Sequence, residues 1–154
     1  MSTATTPSAP LLDEQICFAL YSASRAITAR YRELLEPLGV TYPQYLVLLA
    51  LWQDDAQRVS DLGRRLQLDS GTLSPLLRRL EQSGLVTRAR SAADERTVVV
   101  SLTPAGDAMR AQAAGIPAQV CLATGLDLDS IAALRDEVAG LAEHVRGEHG
   151  RSSS

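Results

Sequence analysis

The spacing of apolar residues changes period several times along this chain, and each change marks an element. From Asp13 to Leu38 the residues Ile16, Leu20, Ala23, Ile27, Tyr31, Leu34 and Leu38 recur every three or four positions, which predicts one long amphipathic helix ending near Pro37 and Gly39. Thr41 is placed to cap a second helix with Pro43 in its first turn. The run from Tyr45 to Trp52 is apolar throughout, so that helix is expected to be deeply buried and to stop before Asp54-Asp55. Ser60 is expected to cap a short third helix carrying Leu62 and Leu66, followed by a turn at Leu68-Asp69-Ser70-Gly71 and a fourth helix from about Thr72 to Gln82, closed by Gly84. In that fourth helix Leu73, Leu76, Leu77 and Leu80 form one stripe, while Thr72, Ser74, Arg78 and Arg79 project elsewhere. Leu85 to Arg90 and Thr97 to Leu102, the second a β-branched alternation, flank the charged loop Ser91 to Arg96 and read as a β-hairpin. Thr103 and Pro104 open a fifth helix, and after Gly125 a sixth runs from about Leu128 to Val145.

The fold class implied is mainly α with a small β-hairpin: a winged helix-turn-helix flanked by N- and C-terminal helices. The order contains no internal repeat and no strand-helix-strand unit of the kind a phosphate loop needs. With 154 residues, one compact domain is the starting expectation. It spans 13–147, between a small, polar and proline-containing arm over 1–12 and a frayed tail over 148–154. Within it 58–102 holds the helix-turn-helix and hairpin, and 13–57 and 103–147 hold the flanking helices. The arm has neither the basic start nor the apolar core of a secretion signal, and no run of apolar residues is long enough to span a bilayer. A cytoplasmic protein with no membrane partner is therefore expected.

Net charge of −3 argues against a nucleic-acid partner until its distribution is seen. From Arg58 to Arg96 eight arginines face five acids, a local excess of +3, and the remaining chain carries −6. All fifteen basic residues are arginine. A helix entering the major groove must offer hydrogen bonds to bases and charge to phosphates, and the fourth helix carries both. The first turn, Ser70-Gly71-Thr72, also presents backbone N–H groups suited to an anion. Ser70, Thr72, Ser74, Arg78 and Arg79 are thus the candidate DNA contacts of this helix, although a serine at this place is often only a cap. At the hairpin tip Arg96 is suited to a narrow minor groove, with Asp94 positioned to hold it; the alternative is an ordinary solvated turn.

Two cysteines far apart supply neither a disulfide framework nor a zinc ligand set, so no metal and no cofactor is expected. Cys17 lies near the start of the first helix, where the dipole and free N–H groups favour a thiolate. Only a thiolate attacks peroxide oxygen, giving a sulfenic acid that condenses with a second thiol, and Cys121 is the one other thiol in the chain. The plain alternative is a small buried hydrophobe. His144 and His149 fall far from both thiols in sequence and are expected to be exposed.

The stretches DSGTLSPLLRRLEQSGLVTR and SAADERTVVVSLTPAG resemble the recognition helix and wing of MarR-type regulators. CFALYSASRAITARYRELLEPLGVTYPQYLVLLALW resembles, more specifically, their organic-hydroperoxide-sensing OhrR-type branch. The resemblance implies a transcriptional repressor, not an enzyme: a symmetric homodimer formed by the terminal helices, bound to an inverted-repeat operator in double-stranded DNA and released when an organic hydroperoxide oxidises the N-terminal cysteine. It also matches Tyr21, Tyr31 and Tyr42 to tyrosines that surround that cysteine. Tyr21 is one turn beyond Cys17, but fourteen residues of helix put Tyr31 roughly 21 Å along the axis, so any Tyr31 contact with that sulfur comes from the partner subunit. Tyr45 is read as an ordinary core residue. Resemblance to two-cysteine members suggests a disulfide between Cys17 of one subunit and Cys121 of the other, with Cys121 on a slack segment near Pro117 and Gly125. The alternative is an inert Cys121 and a small thiol capping Cys17. Two rivals remain: a regulator of the same fold answering a non-redox small ligand with structural cysteines, and a thiol peroxidase.

Overall fold

The computed structural model describes residues 9–151, with side chains from 9 to 147. Residues 1–8 of the expected arm and 152–154 of the expected tail lie outside the described residues. The chain divides after Ala113 into two compact units, a partition its length does not foresee, and each is taken by itself.

The first unit opens with a 3₁₀ turn, Leu12–Glu14, then helix α1, Ile16–Leu35. The expected helix from Asp13 therefore starts three residues later. Its far end tightens into a second 3₁₀ turn, Glu36–Leu38, because Pro37 cannot continue the helix, and Gly39 then takes φ +69° to turn the chain. Helix α2, Tyr42–Gln53, has the expected Thr41 cap: the Gln44 N–H donates to the Thr41 hydroxyl, and the Gln44 side chain accepts from the Thr41 N–H in return. Tyr45, Val47, Leu48 and Leu51 on α2 are each at most 2% exposed. Burying each such side chain contributes about 1.5–3 kcal/mol, so α2 is the axis of this unit. The apolar stripe of α1 fares otherwise, since Leu35 alone is buried while Ile16, Phe18, Tyr21 and Ile27 stand exposed.

A short strand that the sequence reading missed, β1 (Gln57–Arg58), follows α2. Two residues are too few to show a period, and the strand exists through its partner. Helix α3, Val59–Leu66, comes next with Arg58 at its N-cap position; Ser60, expected there, lies inside the first turn. Helix α4, Ser70–Gln82, is capped by Asp69, whose carboxylate accepts from the Thr72 N–H at 2.7 Å. Its leucines 73, 76, 77 and 80 are all buried, as the stripe requires. Gly84 takes φ +74° and releases the chain into β2, Val86–Arg90. Strand β3, Val98–Leu102, returns antiparallel with Val86 opposite Leu102 and Arg90 opposite Val98. The strands run β1-β3-β2, with Gln57 paired to Val100. Helix α5, Pro104–Ala113, is capped by Thr103, whose hydroxyl accepts from the Gly106 N–H at 3.1 Å.

The second unit holds α6, Ile116–Thr124, and α7, Leu128–Arg151. Helix α6 corrects the expected slack: Pro117 falls in the first turn, where its missing N–H costs nothing, and Gly125 at φ +71° ends the helix. Helix α7 continues beyond Val145 to Arg151, so residues 148–151 are helical where fraying was expected. Leu128, Leu134, Val138 and Leu141 on α7 are exposed.

Gly106 makes the closest approach in the first unit. A Cβ there would sit 2.1 Å from the Leu85 carbonyl oxygen and 3.2 Å from a Leu102 methyl. Gly106→Ala is expected to cost at least the roughly 1–3 kcal/mol of an overpacked core site. Gly140→Ala, on an exposed helical face with nothing within 4 Å, should instead stabilise by about 0.5–1 kcal/mol. Urea unfolding of both variants checks the pair, and equal midpoints would refute the close approach.

Candidate thiol site and nucleic-acid interface

Cys17 occupies the second position of α1 and is exposed, with a free thiol. No side chain caps this helix end, because Gln15 turns its amide back to the Leu11 carbonyl; the first-turn N–H groups therefore remain available around the sulfur. Tyr21 lies one turn on, 60% exposed, with the Arg25 guanidinium 5.4 Å above its ring. Tyr31 stands near the other end of the same helix. The structure brings Tyr31 together with Tyr42, ring centroids 4.6 Å apart, and with Tyr45 at 5.8 Å. Tyr31, Tyr42 and Tyr45 thus form one cluster, whereas Cys17 and Tyr21 share only a position one turn apart on α1.

Burial raises the pKa of Tyr31 to about 12, with the neighbouring hydroxyls of Tyr42 and Tyr45 adding to it. Burial likewise raises those of Tyr42 and Tyr45. Near neutral pH these groups are O–H donors, able to stabilise an anion such as a thiolate. Tyr45 itself is core, as expected, and meets Trp52 edge-on. Cys121 sits half-buried on α6, with Sγ 3.9 Å from the Leu126 carbonyl oxygen. His144 is exposed on α7, and the side chain of His149 lies outside the described residues.

On α4, Thr72, Arg78 and Arg79 are exposed and Ser74 is half-exposed, clear of the leucine stripe. The expected anion seat at the helix start is already filled. Asp69 places its carboxylate there, and hydrogen bonds from Thr72 and Gly71 hold its pKa below the usual carboxylate range. Ser70 is the first helical residue rather than the cap, which leaves its hydroxyl exposed for an outside partner.

The hairpin tip is ordered by its backbone. Asp94 accepts from the Arg96 N–H at 3.0 Å and from the Thr97 hydroxyl at 3.3 Å, while Arg90 donates to the Glu95 carbonyl at 2.7 Å. Asp94 thus holds the main chain of Arg96 and not its guanidinium. Ser70, Ser74 and Arg96 line one crevice of about 690 Å³ between α3, α4 and the hairpin, together with Arg58, Arg64 and Arg88. The last three were not singled out from sequence. Arg88 pairs with Glu81 at 3.3 Å and so ties β2 to the end of α4; its i,i+7 spacing across an element boundary gives no sequence signal. Arg64 pairs with Asp61, and Arg65 reaches Gln53 and the Ala50 carbonyl. Arg58, Arg78, Arg79 and Arg96 have no such partner among the described residues.

Residues 40–98 match the MarR family. Over 109 residues, 71% of this chain and 74% of the relative, the sequence is 50% identical to the organic hydroperoxide resistance transcriptional regulator of Bacillus subtilis (strain 168). The chain belongs to the MarR family. Among solved structures of the family, reduced AbfR bound to DNA is 36% identical with a TM-score of 0.73, covering 87% of this chain and 93% of that one. Disulfide-formed AbfR, from a protein of Staphylococcus epidermidis, is 34% identical with a TM-score of 0.63, covering 88% and 92%. As the family's winged-helix fold requires, α3 and α4 are the helix-turn-helix and β2–β3 the wing. The expected fold class and family branch are both borne out, and the chain is a transcriptional regulator.

The raised Tyr31 pKa has a definite consequence at high pH. A phenol that ionises near 10 when unfolded and near 12 when folded gives a contribution to stability that is whole below about pH 10 and lost as pH rises through 12. Phenolate absorbance during alkaline titration should show a late step that Tyr31→Phe diminishes; loss of a step near pH 10 instead would contradict the burial.

Proposed function

We propose that this regulator is a homodimeric repressor that grips an inverted-repeat operator when reduced and releases it when an organic hydroperoxide oxidises Cys17. The observation that carries this reading is an exposed cysteine in the uncapped first turn of α1, in a chain half identical over 109 residues to a hydroperoxide resistance regulator. The Cys17 thiolate attacks a peroxide oxygen, the O–O bond breaks, and the departing alkoxide takes a proton to leave as an alcohol. Sulfur becomes the sulfenic acid. Tyr31 and Tyr42, kept protonated by burial, serve as donors to the thiolate of the other copy, because one helix holds Tyr31 roughly 21 Å from its own Cys17. Tyr21 completes that pocket beside Cys17.

Dimer formation covers the apolar residues that α1 and α7 leave exposed, Ile16, Phe18, Ile27, Leu134 and Leu141 among them. Residues 13–57 and 103–147 chiefly pair the copies and 58–102 read DNA in the cytoplasm. Helix α4 enters the major groove with Ser70, Thr72, Ser74, Arg78 and Arg79 toward bases and phosphates, and Arg96, its backbone fixed by Asp94, enters the minor groove. Cys121 resolves the sulfenic acid as an intersubunit disulfide. The existence of a disulfide-formed state in AbfR supports such a step. Chemistry is stoichiometric and no cofactor enters.

Mobility-shift titration tests the sensing. Reduced parent protein should retard an inverted-repeat duplex and lose it on adding cumene hydroperoxide, whereas Cys17→Ser should hold it throughout; equal release by both proteins refutes the reading. Arg78→Ala and Arg96→Ala should each weaken binding, and each lost phosphate contact should lower the slope of log K against log salt by about one. Unchanged binding in both would show that α4 and the wing are not the reading elements.

A further inference from the structure

Four aromatic rings run in contact from the α1–α2 corner to the far end of α2. Tyr42 meets Tyr31 at 4.6 Å, Tyr31 meets Tyr45 at 5.8 Å, and Tyr45 meets Trp52 edge-on at 6.1 Å. From there the Trp52 indole Nε1–H donates to the Gly106 carbonyl on α5 at 2.9 Å, and Arg110 of α5 donates back to the Trp52 carbonyl. Gly106 in turn has no free space toward Leu85. The Leu85 carbonyl accepts from the Thr103 N–H at 3.0 Å, and the Thr103 hydroxyl donates to the Gly84 carbonyl at 2.6 Å. Gly84 and Leu85 form the joint at which α4 ends and the wing begins. A contiguous set of close contacts therefore links two of the tyrosines assigned to the thiol pocket with the joint between the two reading elements.

Simple core filling accounts for the rings but not for the indole N–H. A phenyl ring at position 52 would pack against Tyr45 nearly as well. The directional bond to Gly106 fixes the end of α2 to the first turn of α5, where any displacement meets the Leu85 backbone.

We propose that Trp52 is the positioning residue that carries a rearrangement of Tyr31 and Tyr42 to the α4–wing joint. This rests on the sensing role of Cys17 proposed above. Displacement of the Tyr31–Tyr42 pair moves Tyr45, Tyr45 tilts the indole, and the indole shifts Gly106 against Leu85. A close-packed interior passes such motion on because its contacts have no slack to absorb it.

Trp52 is the single tryptophan of the chain, so protein fluorescence excited at the indole band reports on it alone. In the parent protein, cumene hydroperoxide should shift Trp52 emission at the same rate as the free Cys17 thiol disappears, and Cys17→Ser should show no shift. Trp52→Phe should keep the parent rate of thiol loss. Bound to an inverted-repeat duplex selected from random DNA with the reduced parent, it should retain affinity within about threefold. Its hydroperoxide-induced loss of affinity should be smaller than the parent's by about tenfold or more, the scale of an ordinary coupling between sites. Full release by Trp52→Phe overturns the coupling. So does unchanged emission in parent protein whose Cys17 is fully oxidised, an outcome that does not depend on the variant folding. If Cys17→Ser also shifts and releases, the sensing reading fails and takes the coupling with it; a silent Trp52 beside a required Cys17 sinks the coupling alone.

Discussion

A helix that is apolar on every side has only one stable place, the interior, and the first unit is assembled around that constraint. Helix α2 buries Tyr45, Val47, Leu48 and Leu51 almost completely, and α1, α3, α4, α5 and β3 all pack against it. The carbonyls of its last turn draw donors from the surrounding elements, Ala50 in addition to its own Asp54 N–H and Trp52 in place of an intrahelical one. Gln57 and Arg65 donate to Ala50, and Arg110 donates to Trp52. These polar side chains therefore tie the end of α2 to β1 and to the last turns of α3 and α5. The helix-turn-helix and the tyrosine cluster are both fastened to one shaft.

Much of this was legible in the sequence because it is local. The Thr41 cap, the leucine stripe of α4, the hairpin and the Thr103-Pro104 start each depend on residues within a few positions of one another, and each appears where expected. The misses share the opposite character. Strand β1 is two residues long and is created by its pairing with Val99 and Val100, which no local period can show. Pro117 and Gly125 look like breakers in the sequence and suggest slack, whereas a proline in the first turn and a glycine just past the last one are the boundaries of helix α6. Ser60, the expected cap of α3, lies inside its first turn, and at α4 the alternative of Ser70 as a cap gives way to Asp69, the stronger acceptor immediately before it.

For the site, residue identity was more legible than residue company. The sequence separates Cys17 from Tyr31 by simple helix length, and the structure keeps them apart on α1. It also gathers Tyr31, Tyr42 and Tyr45 into one cluster, which follows from the turn at Gly39 and could not be read from spacing. Asp94 meets its expected neighbour Arg96 through the backbone N–H. A short acidic side chain two residues before another finds the backbone N–H first, and Arg96 keeps its guanidinium for something else.

The Glu81–Arg88 pair, with the other internal attachments of the central segment, changes the meaning of the local positive excess. Of eight arginines between Arg58 and Arg96, Arg64, Arg65, Arg88 and Arg90 each commit at least one donor to a partner in the protein, and Asp69 neutralises the very helix end that would attract an anion. The surface offered to a polyanion is therefore much less sticky than the composition suggests. In a family whose solved relatives include DNA-bound forms, such thrift leaves little indiscriminate attraction to a polyanion to be overcome on departure.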